Sequence, residues 1–359
     1  MKNSTMKLIF SILLLTFSIQ IAANDDRSKP SIDSSNNINK VSGKDSNAVM
    51  FTVIAHRGAS GYLPEHTLDA AALAFMQGAD FIEQDIILTA DNVPIVLHDI
   101  HIETVTNVES VFPERKRLDG RYYAIDFTWD EIQQLYVHER ENLDGSRVYP
   151  NRYKGHEAFK VASFEQHIEL IKRLNKVYSK NIGFYPEIKS PEWHLSEGKD
   201  ITKIVFEFIQ KNNLNRTGTN IMIQSFYPPT LKRLKNEFSI KVPLVQLIAE
   251  NDWEESSADY EAMMTLNGLE DVASYASGIG PWLPQIYDTE KRTATELLKH
   301  AKSLQLVVHP YTFRADDLAY EMNAAELIHL LKNELQVDGV FTDHTDIVLE
   351  HLGTQTNFN

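Results

Sequence analysis

The amino-acid sequence predicts an α/β fold, a (β/α)8 barrel with an inserted subdomain over its mouth, and three observations lead there. Eight short apolar runs alternate with amphipathic helical patterns from about residue 51 onward, the signature of a parallel sheet covered by helices. The stretch 51–353 exceeds the ~250 residues usual for such a barrel, and the surplus falls in one block, about 99–163, without clear periodicity. Imidazoles, a guanidinium and carboxylates collect at the C-terminal ends of several runs, where barrels keep their chemistry. The 359 residues, 43% of them hydrophobic, suffice for a full core.

Residues 1–23 join Lys2 and Lys7 to an apolar run from Leu8 to about Ile19 and then to Ala22 and Ala23. That three-part pattern predicts a cleavable signal peptide and export to the periplasm, and the run is too short for a stable membrane span. Cleavage after Ala23 removes two lysines and takes the formal net charge from −15 to −17. An acidic protein of this kind is not built for nucleic acid or for anionic bilayers. The absence of cysteine rules out a disulfide framework and a lipid-modified N-terminal cysteine. Residues 24–50, rich in Ser, Asn, Asp and Lys, read as a flexible leader, and 354–359 as a tail.

The predicted strands are 51–55, 81–85, 183–187, 220–224, 243–248, 277–280, 305–309 and 338–342, with helices expected over 67–77, 164–177, 201–210, 230–237, 294–303 and 324–335. A further strand-like run, 94–98, follows 81–85 too closely for a parallel crossover, which needs a dozen residues or more. It is therefore expected to turn back near Asp91 as a hairpin and to bring His98 beside Glu83 and Asp85. Residues 99–163 then read as a subdomain over the mouth.

The chemistry starts at His56-Arg57-Gly58, directly after the first run. Arg57 can fork onto phosphate or carboxylate oxygens, and His56 can carry a proton near neutral pH. Gly58 and Gly61 allow the backbone to turn closely around a ligand. In Phe81-Ile82-Glu83-Gln84-Asp85 the period of two places Glu83 and Asp85 on one face, inward if Ile82 packs outward. Glu187 and Lys189 share a face at the end of the third run. Three carboxylates without cysteine favour an all-oxygen site for a hard cation, Ca²⁺ or Mg²⁺. The alternative is a structural ion-pair network with Arg57 and Lys189. A cation with Arg57 and Lys189 suits phosphodiester cleavage, offsetting charge on the non-bridging oxygens while His56 and His98 divide the two proton transfers.

His56-Arg57-Gly58-Ala59-Ser60 with Pro64-Glu65, Glu83-x-Asp85, His98-Asp99 and Pro186-Glu187-Ile188-Lys189 resemble the signature of the glycerophosphodiester phosphodiesterases. The resemblance covers essentially 51–350. It is closest to the secreted, periplasmic GlpQ-type branch, through 62–68, 119–127, Val307-Val308-His309-Pro310-Tyr311-Thr312 and Phe341-Thr342-Asp343. It implies a TIM barrel of the PLC-like phosphodiesterase type that hydrolyses glycerophosphocholine, glycerophosphoethanolamine and similar diesters to sn-glycerol 3-phosphate and an alcohol. By the same resemblance His56 is the general base and His98 the general acid. Glu83, Asp85 and Glu187 hold the metal, usually Ca²⁺, and Arg57 contacts phosphate. The implied partners are small-molecule glycerophosphodiesters, without nucleic acid or stable membrane insertion and with a homodimer allowed. Two positions depart from the family pattern: His66 replaces the common Asn of Pro-Glu-Asn-Thr, a change shared by the periplasmic branch, and Glu103-Thr104-Val105-Thr106 stands where an Arg commonly follows the His-Asp pair.

Gln224 is either a mouth-facing substrate contact or a satisfied core amide. Trp282 is either a wall for glycerol carbons and a cation-π face for choline, or a packing residue. His309 and Arg314 are candidates for the pocket border. A phospholipase acting on intact lipids and an exported binding or adhesin protein are the competing functions.

Overall fold

The computed structural model describes residues 51–353. The predicted signal peptide (1–23), the leader (24–50) and the tail (354–359) lie outside the described residues. All eight predicted parallel strands are present: Thr52–Ala55, Phe81–Leu88, Gly183–Ile188, Ile223–Ser225, Leu244–Ile248, Gly278–Pro281, Val307–Val308 and Gly339–Thr342. The first seven pair in sequence order, and the eighth pairs with the first. The seventh and eighth are joined by hydrogen bonds from Asp338 N to Val308 O (3.1 Å), Phe341 N to Pro310 O (3.0 Å) and Phe313 N to Phe341 O (2.8 Å). The sheet thus closes without an open edge.

Alternation along the strands sorts the side chains. Val53, Ala55 and Ile82 face the helices in the main core, whereas Ile54, Tyr185, Met222, Val245 and Phe341 form an apolar cluster inside the barrel. One pleat further toward the C-terminal ends the interior turns polar: Asp85 is in register with Glu187, and Glu187 with Gln224. Local signals set the helix ends. Thr67 Oγ1 caps Leu68–Gln77 by accepting from Ala70 N, and Ser163 and Gln166 form a capping box on Phe164–Tyr178. Two helices not foreseen, Leu266–Tyr275 and Thr345–Leu352, complete the ring. The first was obscured because Thr265 caps it in mid-pattern and Gly268 weakens its helical signal.

The hairpin forms as expected, with Ile86, Ile87 and Leu88 antiparallel to Val96, Ile95 and Pro94. Ile95 and Val96 also pair with Ser163 and Ala162, so the insertion leaves and rejoins the barrel at one ladder. Ile102, Val105, Val108, Phe127, Ile132, Leu135 and Val137 give the insertion an apolar cluster shared with Ile87, Ile95 and Leu97. Its helices Val108–Val111 and Trp129–Ile132 have four residues each, which explains the missing periodicity. Among the described residues no helix is long and apolar enough to cross a membrane.

Three core histidines predict an acid sensitivity. Burial pushes His167 down to about 3 and His194 and His309 to about 4, from 6.5. Below pH 6.5 the unfolded chain takes up protons that the fold refuses, so their contribution is complete above 6.5 and falls progressively between 6.5 and about 4. Thermal unfolding should show Tm declining from pH 7 to pH 5, and His167→Gln should flatten that slope. A Tm constant over this window would contradict it.

Candidate active site

His56 leaves the first strand with its N–H on Thr342 O (2.9 Å). Arg57 follows in the left-handed region, φ 59°, and its N–H donates to Glu83 Oε2 at 2.7 Å. A non-glycine residue held there is strained, which this bond and the packing around it must offset. Gly58 has φ 82°, and a Cβ on it would lie 2.8 Å from the Ala70 carbonyl carbon. Its lack of a side chain therefore serves close packing of loop against helix rather than an approach to ligand. A Cβ on Gly61 would likewise meet the His344 ring.

Each predicted proton-transfer histidine has a carboxylate on its far nitrogen. His56 Nδ1 donates to Asp343 Oδ1 and His98 Nδ1 to Asp99 Oδ1, both at 2.6 Å. That bond fixes the tautomer and leaves Nε2 as the free acceptor. Burial, then the Arg57 charge, pushes His56 down to about 4, and the same two causes lower His98. Asp343 also accepts from Arg152 Nη2 (2.8 Å) and Arg314 Nε (3.0 Å). Burial alone would raise the Asp343 carboxyl, but Arg314, His56 and Arg152 hold it well below the carboxylate range.

The buried acids are uneven in character. Glu83 and Asp85 are each 1% exposed, and His66 Nε2 donates to Asp85 Oδ2 at 2.8 Å. Ligand atoms of His66, Glu83 and Asp85 lie within 4.8 Å of one another. Glu187 stands across the ladder from Asp85, outside that tight group, with Lys189 Nζ 3.0 Å from its carboxylate. Burial first, and then neighbouring carboxylates, raise Glu83 and Glu187 well above the ordinary range. Asp85 goes the other way: against the penalty of burial, His66, His98 and Lys189 together hold it well below the ordinary range. Buried acids held in such tension, with oxygen donors converging, fit a divalent hard cation. The expected ion pairs are also present, so a cation would compete with Lys189 for Glu187.

His56, Arg57, Glu83, Asp85, His98, Glu187, Gln224, Trp282 and Arg314 all line one cavity of about 230 Å³. Lys189 is not on its wall; it sits behind Glu187, also 3.7 Å from Glu255. His309 is buried against the Tyr185 hydroxyl (3.1 Å), away from the cavity. Among the described residues two polar atoms of the wall, Arg57 Nε and Gln224 Oε1, are buried without a hydrogen-bond partner, so Gln224 is not a satisfied core amide. Phe226, Trp253, Trp282 and Tyr311 form an apolar side, the Trp253 and Trp282 rings edge to face at 5.1 Å.

Several of these residues escaped sequence reasoning. Asp343 directly follows the eighth strand, as His56 follows the first, a signal that was available. Arg140, Arg152 and Trp253 lie in irregular segments whose local pattern carries no such sign.

A closed barrel whose mouth gathers two carboxylate-held histidines, an arginine whose Nε–H is left unbonded among the described residues and a group of buried acids is a hydrolase of phosphate esters. The chain belongs to the glycerophosphoryl diester phosphodiesterase family, whose sequence profile matches residues 56–347. It is 39% identical over 326 residues to a glycerophosphodiester phosphodiesterase of Haemophilus influenzae, covering 84% of this chain and 89% of the relative. A Treponema pallidum enzyme of the same name is 32% identical over 330 residues, covering 85% and 93%. Among solved structures, an Oleispira antarctica phosphodiesterase in complex with the product sn-glycerol-3-phosphate superposes with a TM-score of 0.59 at 19% identity, covering 84% of this chain and 96% of that one.

Proposed function

We propose that this cavity hydrolyses glycerophosphodiesters such as glycerophosphocholine and glycerophosphoethanolamine to sn-glycerol 3-phosphate and an alcohol. The observation that carries the reading is two imidazoles, each oriented by a carboxylate on Nδ1, around an Arg57 guanidinium whose Nε–H has no hydrogen-bond partner among the described residues. Arg57 binds a non-bridging phosphoryl oxygen, and Gln224 and Trp282 border the ester substituents. His56, neutral down to about pH 4, takes the proton of the attacking oxygen through Nε2. His98 delivers a proton to the leaving alkoxide, its imidazolium supported by Asp99 and by the negative diester beside it. A Ca²⁺ ion, or Mg²⁺ in its place, held by Glu83, Asp85 and Glu187 supplies positive charge against the phosphoryl oxygens. His66 orients Asp85, and Lys189 restrains Glu187 from behind the wall.

Release of glycerol 3-phosphate from glycerophosphocholine by residues 24–359, with and without Ca²⁺, tests the reading. Ion-dependent release is expected, and no release under either condition would overturn it. The roles also predict a pH effect. Asp99 raises the His98 pKa, so Asp99→Asn should move the alkaline limb of kcat/KM to lower pH. An unmoved limb would take His98 out of the acid role.

Export to the periplasm rests on the pattern of residues 1–23. Mass spectrometry of the mature N-terminus should find Asn24 first, and an intact Met1 would contradict cleavage.

A further inference from the structure

The carboxylates that orient the two histidines have second oxygens, and an arginine from the insertion occupies each. Arg140 Nη1 donates to Asp99 Oδ2, while its Nη2 and Nε bond Glu65 at 2.6 and 3.2 Å. Arg152 Nη2 donates to Asp343 Oδ2 at 2.8 Å, and its Nε and Nη2 bond Asp316 at 2.8 and 2.9 Å. Glu65 belongs to the loop after the first strand and Asp316 to the loop after the seventh, so each arginine also ties the insertion to the barrel mouth. Glu65 continues the chain of contacts to Arg57 Nη1 at 2.9 Å. The two arginines are not equivalent. Asp343 has a second cation in Arg314, whereas among the described residues Arg140 is the only arginine or lysine bridged to Asp99.

We propose that Arg140 and Arg152 are positioning residues and that the insertion acts as a clamp on both histidines, with Arg140 the more critical. A carboxylate held at one oxygen can rotate and release its imidazole. One held at both keeps the Nδ1–H tautomer and aims Nε2 at the cavity. The proposal rests on the catalytic roles assigned above to His56 and His98.

The test combines kinetics on glycerophosphocholine with NMR of the protein labelled with ¹⁵N-histidine, signals being assigned through His56→Gln and His98→Gln. In Arg140→Gln, kcat should fall by about 10- to 100-fold, as when an outer-shell partner is lost, with KM changed by less than about threefold. The His98 ring should lose its single Nδ1–H tautomer while His56 keeps its own. Arg140→Lys should recover part of kcat, and Arg152→Gln should lose less than Arg140→Gln. A His98 tautomer unchanged in Arg140→Gln, or equal losses in the Gln and Lys variants with a parallel fall in Tm, would reduce the arginine to a structural rivet and overturn the proposal. If Arg140→Gln does not fold, Arg140→Lys and Arg152→Gln carry the comparison. The NMR arm needs no substrate, so an inactive wild type would sink the hydrolase reading while the tautomers still decide the clamp.

Discussion

His56→Ala should lower kcat by about 10²- to 10⁴-fold, the range of a lost general acid or base, while the protein stays folded. The structure explains why the two effects separate. Removing the ring strips one partner from Asp343, a carboxylate 2% exposed, and an unpaired buried charge would normally unfold a protein. Here Arg152 and Arg314 both remain on Asp343 Oδ2, so the charge stays compensated. His98→Ala should behave alike, since Arg140 remains on Asp99. Steady-state kinetics together with a thermal melt check both variants. A variant with unchanged kcat removes that ring from the mechanism, and one that loses activity only in proportion to its folded fraction makes the ring a structural element.

Chelation is the second large effect. Exhaustive EDTA treatment should lower hydrolysis by about 10² or more, the scale of losing a principal stabiliser of transition-state charge, and Ca²⁺ should restore it. The argument is electrostatic. Glu83, Asp85 and Glu187 are buried on two adjacent strands, and their mutual repulsion is what raises Glu83 and Glu187 after burial itself. Positive charge placed among them relieves that tension. Glu83→Gln should therefore weaken cation binding more than it weakens folding, because the amide oxygen still accepts from Arg57 N. Calorimetry of binding and of unfolding measures the two. Activity surviving chelation would sink the cation assignment, and a larger loss in folding than in binding would favour an ion-pair network.

What the sequence by itself determined is whatever is periodic or local. Phe81-Ile82-Glu83-Gln84-Asp85 announces which side chains face the axis because side chains alternate along any strand, and the observed inner and outer clusters follow that rule. The eight strands were countable because each β/α unit carries its own signals. The hairpin followed from chain length alone, and with it the place of His98. The family resemblance rested on the same local motifs and marked His56, Arg57, Glu83, Asp85 and Glu187 as one site.

Only the tertiary structure decided who holds those residues in place. Asp343 is 287 positions from His56, Arg152 is 191 from Asp343, and Arg140 is 75 from Glu65. Helical and strand periods last for a handful of residues and carry no information across such separations. The arginines come from a segment whose helices are single turns, where no period exists to read. Lys189 shares a strand face with Glu187, yet a flexible side chain goes where charge draws it, and Glu187 and Glu255 draw it behind the cavity wall. Backbone periodicity thus placed the candidate site residues on the barrel, and packing of a distant segment onto its mouth set the charges around them.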